Sequence, residues 1–167
     1  MRRNRMGKRL CCAAVAGVAA SFLIQMMQTA GQKLAPSQMP PIRQHPGEYM
    51  VEKAQALLPE KAAGKLSAGA KERVSQLLGL GYGTTFTILY ALMRRRVKRV
   101  NVPLDGTILG LVTWGAGYLG WLPATGLMPP ITKQRAPQVA GAVVSHLVFG
   151  IAAVQMNRAL HRTFGRR

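Results

Sequence analysis

The chain has 167 residues, enough for one ordinary domain, and a formal net charge of +18 from 23 Lys and Arg against 5 Asp and Glu. Such a basic soluble domain would suggest nucleic acid or an anionic surface as its partner, but 49% of the residues are hydrophobic and stand in long blocks apart from the charges. So few acids argue against carboxylate catalysis, and the adjacent Cys11 and Cys12 argue against a disulfide or a cysteine metal site. We therefore predict an all-α integral membrane protein.

The first apolar block follows a basic N-terminus. Residues 1–9 contain five Lys and Arg, and residues 10–27 contain no charge over 18 positions, which is just enough to cross a bilayer. A signal peptide has the same layout, but the block is long for one. Cleavage after Ala30 would also place Gln28 where a small residue is needed. We predict an uncleaved transmembrane helix.

The next segment, residues 28–73, starts rich in Pro and Gln, as an extended loop does. Apolar residues then recur at helical spacing, with Glu52 and Lys53 on the other face, until Pro59 interrupts the pattern. These apolar residues are Met50, Val51, Ala54, Leu57 and Leu58. We predict a periplasmic loop with a short amphipathic helix, which lies at the membrane surface or packs on the ends of other helices.

Three further apolar blocks follow. Residues 74–93 carry no charge, residues 102–122 carry only Asp105 near their start, and residues 137–156 are again uncharged. A basic loop at 94–101 and a short Pro-rich turn at 123–136 separate them, and a basic tail at 157–167 closes the chain. Together with residues 10–27, these blocks predict a bundle of four transmembrane helices.

The basic loop contains a dense cluster of cations, namely Arg94, Arg95, Arg96, Lys98 and Arg99. If the N-terminus is cytoplasmic, the three cytoplasmic segments hold five, five and four Lys and Arg, whereas the short outer turn holds two. This asymmetry follows the positive-inside rule, so we interpret the cluster as a topology anchor that also attracts anionic lipid headgroups. Nucleic-acid binding is the weaker interpretation, because the cluster has no aromatic or amide side chain. Both termini are then predicted to be cytoplasmic.

Small residues at four-residue spacing predict close helix packing within each span. Those that we expect at helix contacts are Gly17, Gly79, Gly83, Gly106, Gly110 and Gly141. Such faces also allow a homo-oligomer or another membrane protein as partner.

Polar side chains at the same depth define a candidate site. With a rise of 1.5 Å per residue, one residue from each span lies about 17 Å from the cytoplasmic side, near the bilayer midplane. These residues are Ser21, Tyr82, Trp114 and His146. His146 is either a proton or ligand contact or an interhelical hydrogen-bonding residue. We expect Asp105 to be structural, because an acid suits the first turn of a helix and can pair with Arg96 or Arg99.

The order of several stretches resembles that of the YagU-like family of bacterial inner-membrane proteins. The stretches are GYGTTFTILYALM, LDGTILGLVTW, LPATGLMPP and SHLVFG, and the resemblance covers most of residues 10–162. It implies a four-helix protein of the bacterial inner membrane. It implies no reaction.

No motif for catalysis, a cofactor or a metal stands out. We therefore predict a structural or accessory membrane protein without catalytic activity. The alternative is a small transporter or proton-linked channel that uses the polar level around His146. A third interpretation, a basic peripheral protein that binds nucleic acid or anionic lipid, would require four apolar blocks to be soluble core helices.

Overall fold

The computed structural model describes residues 2–56, 67–94 and 100–164. All regular elements in these ranges are helical, which confirms the all-α prediction. The α-helices are α1 (Arg2–Leu34), α2 (Pro46–Ala56), α3 (Ala68–Met93), α4 (Val102–Trp114), α5 (Leu122–Ala124) and α6 (Ala136–Phe164). A π-helical segment over Gly115–Trp121, kinked at Gly120 where the backbone is not helical (φ −94°, ψ −106°), joins α4 to α5. Short 3₁₀ helices span Pro36–Gln38 and Ile131–Lys133.

The helix boundaries follow local sequence signals. The Ser67 side chain accepts a hydrogen bond from the Ala70 amide at the start of α3, and the Asn101 side chain accepts one from the Leu104 amide at the start of α4. The first helix extends well beyond the apolar block at 10–27, because no proline interrupts it before Pro36.

Two helices are long and apolar enough to cross a membrane, namely Met6–Leu34 within α1 and Ala136–Phe164. By length and composition, two of the four predicted spans could therefore cross a bilayer. The apolar stretch of α3 is diluted by Gly, Thr and Tyr, and α4 ends after 13 residues where the π-helix begins.

The long helices pack in the order α3, α1, α6, α4. A Cβ atom added at Gly17 would lie 2.6 Å from the Thr84 Cα, and one added at Gly79 would lie 3.0 Å from the Gln25 amide nitrogen. This register makes α1 and α3 antiparallel. The contacts of Gly106 and Gly110 make α4 and α6 antiparallel in the same way, as described next.

The closest approach in the bundle is between the backbones of α4 and α6. A Cβ atom at Gly150 would lie 2.1 Å from the Gly106 carbonyl oxygen and 2.5 Å from the Gly110 nitrogen. In return, Cβ atoms at Gly106 and Gly110 would meet the backbones of Ile151 and His146. The two helices therefore touch without an intervening side chain, as small residues permit in membrane proteins.

The predicted packing glycines occupy three kinds of position. Gly17 of α1 faces α3, and Gly79 and Gly83 of α3 face α1, with Gly83 also close to Phe149 of α6. The α4 glycines face α6. Gly141 differs, because a Cβ there would lie 3.3 Å from the carbonyl oxygen of Gln38, in the connection that crosses over α6.

These registers place the start of α1, the end of α3, the start of α4 and the end of α6 together. We call this the basic end, since its described cations are Lys8, Arg9, Arg94, Arg158 and Arg162. The other end, which we call the α2 end, carries α2 and the 3₁₀ connections. There the Arg43 amide donates to the Leu127 carbonyl, and Tyr49 packs on a core around Tyr118 and Met128.

The short amphipathic helix is present as α2, and it packs on α3. Its buried residues are Gly47 and Val51, while Met50 is 44% exposed and Ala54 is exposed. The buried face is thus rotated from the predicted one, because Gly47 fits directly against the backbone of Ser75. Leu57, Leu58 and Pro59 lie outside the described residues.

Adding a single methyl group tests the α4 and α6 contact. We expect Gly150→Ala to destabilise the bundle by about 2 kcal/mol, because the methyl overpacks a backbone contact. Gly81→Ala is the matched control, since a Cβ there meets nothing within 4 Å, and alanine favours helix by about 1 kcal/mol. Thermal unfolding followed by circular dichroism in detergent measures both. Equal melting temperatures for the two variants would contradict this packing.

Candidate functional site

Polar groups collect where α3 faces α4. These two helices approach each other less closely than the other neighbouring pairs, and long polar side chains bridge the space between them. Toward the middle of the helices, the Tyr82 hydroxyl donates to the Thr113 carbonyl over 3.1 Å. Toward the basic end, side chains of α3 converge on Asp105 of α4.

Asp105 is a buried carboxylate with two donors from α3. Its side chain is paired with Arg94 at 2.7 Å, and the Tyr90 hydroxyl donates to the same oxygen over 3.0 Å. Burial lowers the pKa of Arg94, but the hydrogen bond to Asp105 and the negative charge of Asp105 raise it. The net result is a pKa of Arg94 above its ordinary value. The partner of Asp105 is therefore Arg94, whereas Arg96 and Arg99 lie outside the described residues.

This cluster ties the end of α3 to the start of α4. Asp105 stands in the first turn of α4, where the helix dipole favours a negative charge, and only 7% of its side chain is exposed. Removing one partner of such a pair leaves a buried charge without compensation, which is costly. The geometry thus supports the structural role expected for Asp105.

The bridge at Tyr82 lies beside the π-helix. A Cβ atom at Gly117 would lie 3.3 Å from the Tyr82 hydroxyl and 3.9 Å from the Trp121 indole nitrogen, so both side chains border this glycine. The Thr113 hydroxyl donates back to the carbonyls of Leu109 and Gly110 over 2.9 Å each. Wider π-turns often occur at functional positions, and Trp114 of the predicted polar level directly precedes this one.

Two residues of the predicted polar level have a buried polar atom without a hydrogen-bond partner in the described part of the chain. Ser21 is 2% exposed, and it lies against Gly83 in the contact between α1 and α3. The indole nitrogen of Trp114 is the other such group, and its ring stacks on Tyr118 with centroids 5.7 Å apart.

The other two residues find partners elsewhere. The hydroxyl of Tyr82 bonds to α4, as described above. The Nδ1 of His146 lies 2.8 Å from the Ala142 carbonyl and must donate to it, because a carbonyl only accepts. In the described ranges, no hydrogen bond joins His146 to Ser21 or Tyr82, so the four side chains do not form one hydrogen-bonded cluster.

The basic cluster is only partly described. Arg94 is placed at the end of α3 and bonds to Asp105. The other members, Arg95, Arg96, Lys98 and Arg99, lie outside the described residues. Their flanking residues, Arg94 and Val100, both belong to the basic end.

A second polar site lies at the α2 end. The Nδ1 of His45 accepts the amide hydrogen of Gly47 over 3.3 Å, so the Ser75 hydroxyl, at 2.6 Å, must be a donor to the same nitrogen. An open cavity of about 410 Å³ adjoins this pair and is lined by His45, Glu48, Gly69, Glu72, Ser75 and Gln76. The sequence gives no signal for this pair, since its members are 30 residues apart and belong to no motif.

A serine within hydrogen-bonding distance of a histidine can form a nucleophile and base pair. Here the Ser75 side chain is almost completely buried, and the base nitrogen also accepts a backbone amide. We interpret the pair as a latch that fixes α2 on α3. In the described ranges, no three His, Cys, Asp or Glu side chains are arranged to hold a metal ion.

Comparison with known proteins gives no match: no family model fits the chain, and neither curated proteins nor solved structures match it significantly. The resemblance to the YagU-like family stays a prediction. Function is therefore inferred from the residues of the chain itself.

Removing the charge of Asp105 tests the cluster between α3 and α4. We expect Asp105→Asn to reduce the free energy of unfolding by about 2 kcal/mol, because the charge-assisted bond to Arg94 is lost. Tyr90→Phe removes only a neutral donor, and we expect a loss of about 1 kcal/mol. Chemical unfolding in mixed micelles measures both changes. A larger loss for Tyr90→Phe than for Asp105→Asn would refute the assignment of the main bond to Arg94.

Removing a hydroxyl tests the latch. We expect Ser75→Ala to increase amide hydrogen exchange in α2 by roughly five- to tenfold, since a hydrogen bond of about 1 kcal/mol is lost. Gln76→Ala is the control, because Gln76 lines the same cavity but bonds only to Glu72 in the described residues. Mass spectrometry of peptides that cover residues 46–56 reports the exchange. Unchanged exchange in Ser75→Ala would show that the pair does not hold α2.

Proposed function

We propose that the chain is a four-span protein of a bacterial inner membrane, with both termini in the cytoplasm, and that it serves as a structural or accessory component without catalytic activity. One observation carries the membrane placement: large apolar side chains are exposed on all four long helices. The bacterial setting follows from the resemblance noted in the sequence.

The exposed apolar residues form a band between the two polar ends. Examples are Phe22 on α1 at 58% exposed, Leu77 on α3 at 64%, Ile108 on α4 at 52% and Val144 on α6 at 54%. Soluble monomers rarely expose contiguous apolar surface of this extent, whereas a bilayer solvates it. Since α3 and α4 carry such residues as well, the band supports two spans in addition to α1 and α6.

The distribution of charge supports the orientation. Asp105 is the only acid in the sequence outside residues 48–72, and it is already paired with Arg94. Among the described residues, cations therefore outnumber acids at the basic end, while the α2 end mixes cations with Glu48, Glu52 and Glu72. By the positive-inside rule, the basic end is cytoplasmic.

The packing supports a structural role over a catalytic one. At the α4 and α6 contact, backbone meets backbone, which leaves no room there for a bound molecule. The polar groups between α3 and α4 bond to each other or to the backbone, as interhelical hydrogen bonds in membrane proteins do. These features describe a rigid bundle whose outer faces and polar ends are available to lipid and to partner proteins.

A small transporter or proton-linked channel is the second candidate. It is favoured by two buried polar groups at membrane depth, the Ser21 hydroxyl and the Trp114 indole nitrogen, which have no described hydrogen-bond partner. Polar groups at this depth are costly and often functional. His146 is the ionisable residue nearest to this level.

Labelling of single cysteines tests the orientation. After Cys11→Ala and Cys12→Ala, new cysteines are placed by Ser37→Cys, Lys133→Cys and Thr163→Cys, all at exposed positions. We expect a membrane-impermeant maleimide to label residues 37 and 133 in spheroplasts and residue 163 only after the membrane is opened. Labelling of residues 37 and 163 from the same side would contradict the proposed topology.

A flux measurement separates the two candidate functions. We expect liposomes that contain the protein to leak protons no faster than empty liposomes, and His146→Ala to change neither this rate nor the folded yield. The matched control is Ser145→Ala, which alters the neighbouring position on α6. A flux that His146→Ala abolishes, with the fold intact, would replace the structural proposal by the transport one.

A further inference from the structure

The last two turns of α6 carry a groove lined by arginine. Its volume is about 290 Å³, and its lining residues are Gln155, Arg158, Ala159, Arg162 and Thr163. These positions are spaced by three or four residues, so they share one face of the helix. Two guanidinium groups and the side-chain amide of Gln155 are therefore presented together as hydrogen-bond donors, while the Thr163 hydroxyl donates to the Ala159 carbonyl.

The groove is electropositive. Within the described ranges, Arg158 and Arg162 have no ion-pair partner, and the one nearby acid, Asp105, is bonded to Arg94. Further positive charge comes from α1. His161 lies beyond the apolar block that ends at Met156. Burial lowers the pKa of its imidazole, and the positive charge of Arg9 on α1 lowers this pKa further. Unneutralised cations around a groove attract an anion.

The same face of α6 becomes apolar in the direction of the proposed bilayer. One turn before Gln155 stands Ile151, which is 40% exposed, and two turns earlier stands Val144, which is 54% exposed. The face thus joins an exposed apolar stripe to an arginine-lined groove at the point where the apolar block ends. Its complement is a molecule with an anionic head and an apolar tail.

We infer that this groove binds the phosphate of an anionic phospholipid of the cytoplasmic leaflet. The guanidinium groups of Arg158 and Arg162 donate to the phosphate oxygens, a geometry that arginine satisfies with paired bonds. The acyl chains lie along Val144 and Ile151. A soluble phosphate would share the head chemistry, but the apolar stripe selects a lipid. This inference rests on the membrane placement proposed above.

Retention of lipid during purification tests the site. The full chain is reconstituted in bilayers of phosphatidylglycerol and phosphatidylcholine in equal parts and then extracted, and the lipid that stays bound is identified by mass spectrometry. We expect R158Q/R162Q to retain about tenfold less phosphatidylglycerol than the unmodified chain, with phosphatidylcholine unchanged. The control K133Q/R135Q removes the same charge at the α2 end and should retain phosphatidylglycerol normally.

Two results would overturn the inference. One is equal retention by R158Q/R162Q and the unmodified chain. The other is displacement of phosphatidylglycerol by millimolar inorganic phosphate, which would identify a site for a soluble anion. An alkaline wash of the same membranes distinguishes failure of the site from failure of the membrane placement. If the chain stays in the membrane and does not prefer phosphatidylglycerol, only the lipid site is lost; if it washes off, the four-span proposal fails.

Discussion

The backbone contact between α4 and α6 is the constraint on which the rest of this structure depends. Gly106 and Gly110 on one helix and Gly150 on the other allow an approach that a single methyl group would prevent. In lipid, apolar side chains gain little by leaving the solvent, so close packing and hydrogen bonds have to hold the helices together. The contact fixes the antiparallel register of the two helices. It thereby sets which α4 side chains face α3.

The polar groups of the bundle follow from that register. Because α4 lies tightly on α6, the wider space on its other side is bridged by Tyr82, Tyr90 and Arg94 of α3. The same arrangement gathers cations of α1 and α6 at one end. A rigid middle and a positively charged end are the features expected of a protein that is anchored among lipids and assembles with partners.

Local features of the sequence predicted the helical class and the small residues at helix contacts, because apolar blocks and glycine spacing are properties of short stretches. Two pairings depend on how separate segments of the chain meet: that of Asp105 with Arg94 and that of His45 with Ser75. No local sequence pattern encodes such contacts. His146 shows the same limit. Its depth could be estimated from the helical rise, but whether its imidazole bonds to a neighbouring helix or, as here, to the Ala142 carbonyl one turn earlier in α6 depends on what the neighbouring helices present to it. The π-helical segment at Gly115–Trp121 likewise has no clear sequence signal apart from its glycines.

The central claim is that the apolar band lies within a bilayer, and extraction of membranes tests it most directly. Membranes from cells that express a tagged chain are washed with high salt and, separately, with alkaline carbonate. The account predicts that the chain stays in the pellet after both washes, as integral proteins do. Release by salt alone would contradict it, since the chain would then be held by its +18 charge rather than by its helices.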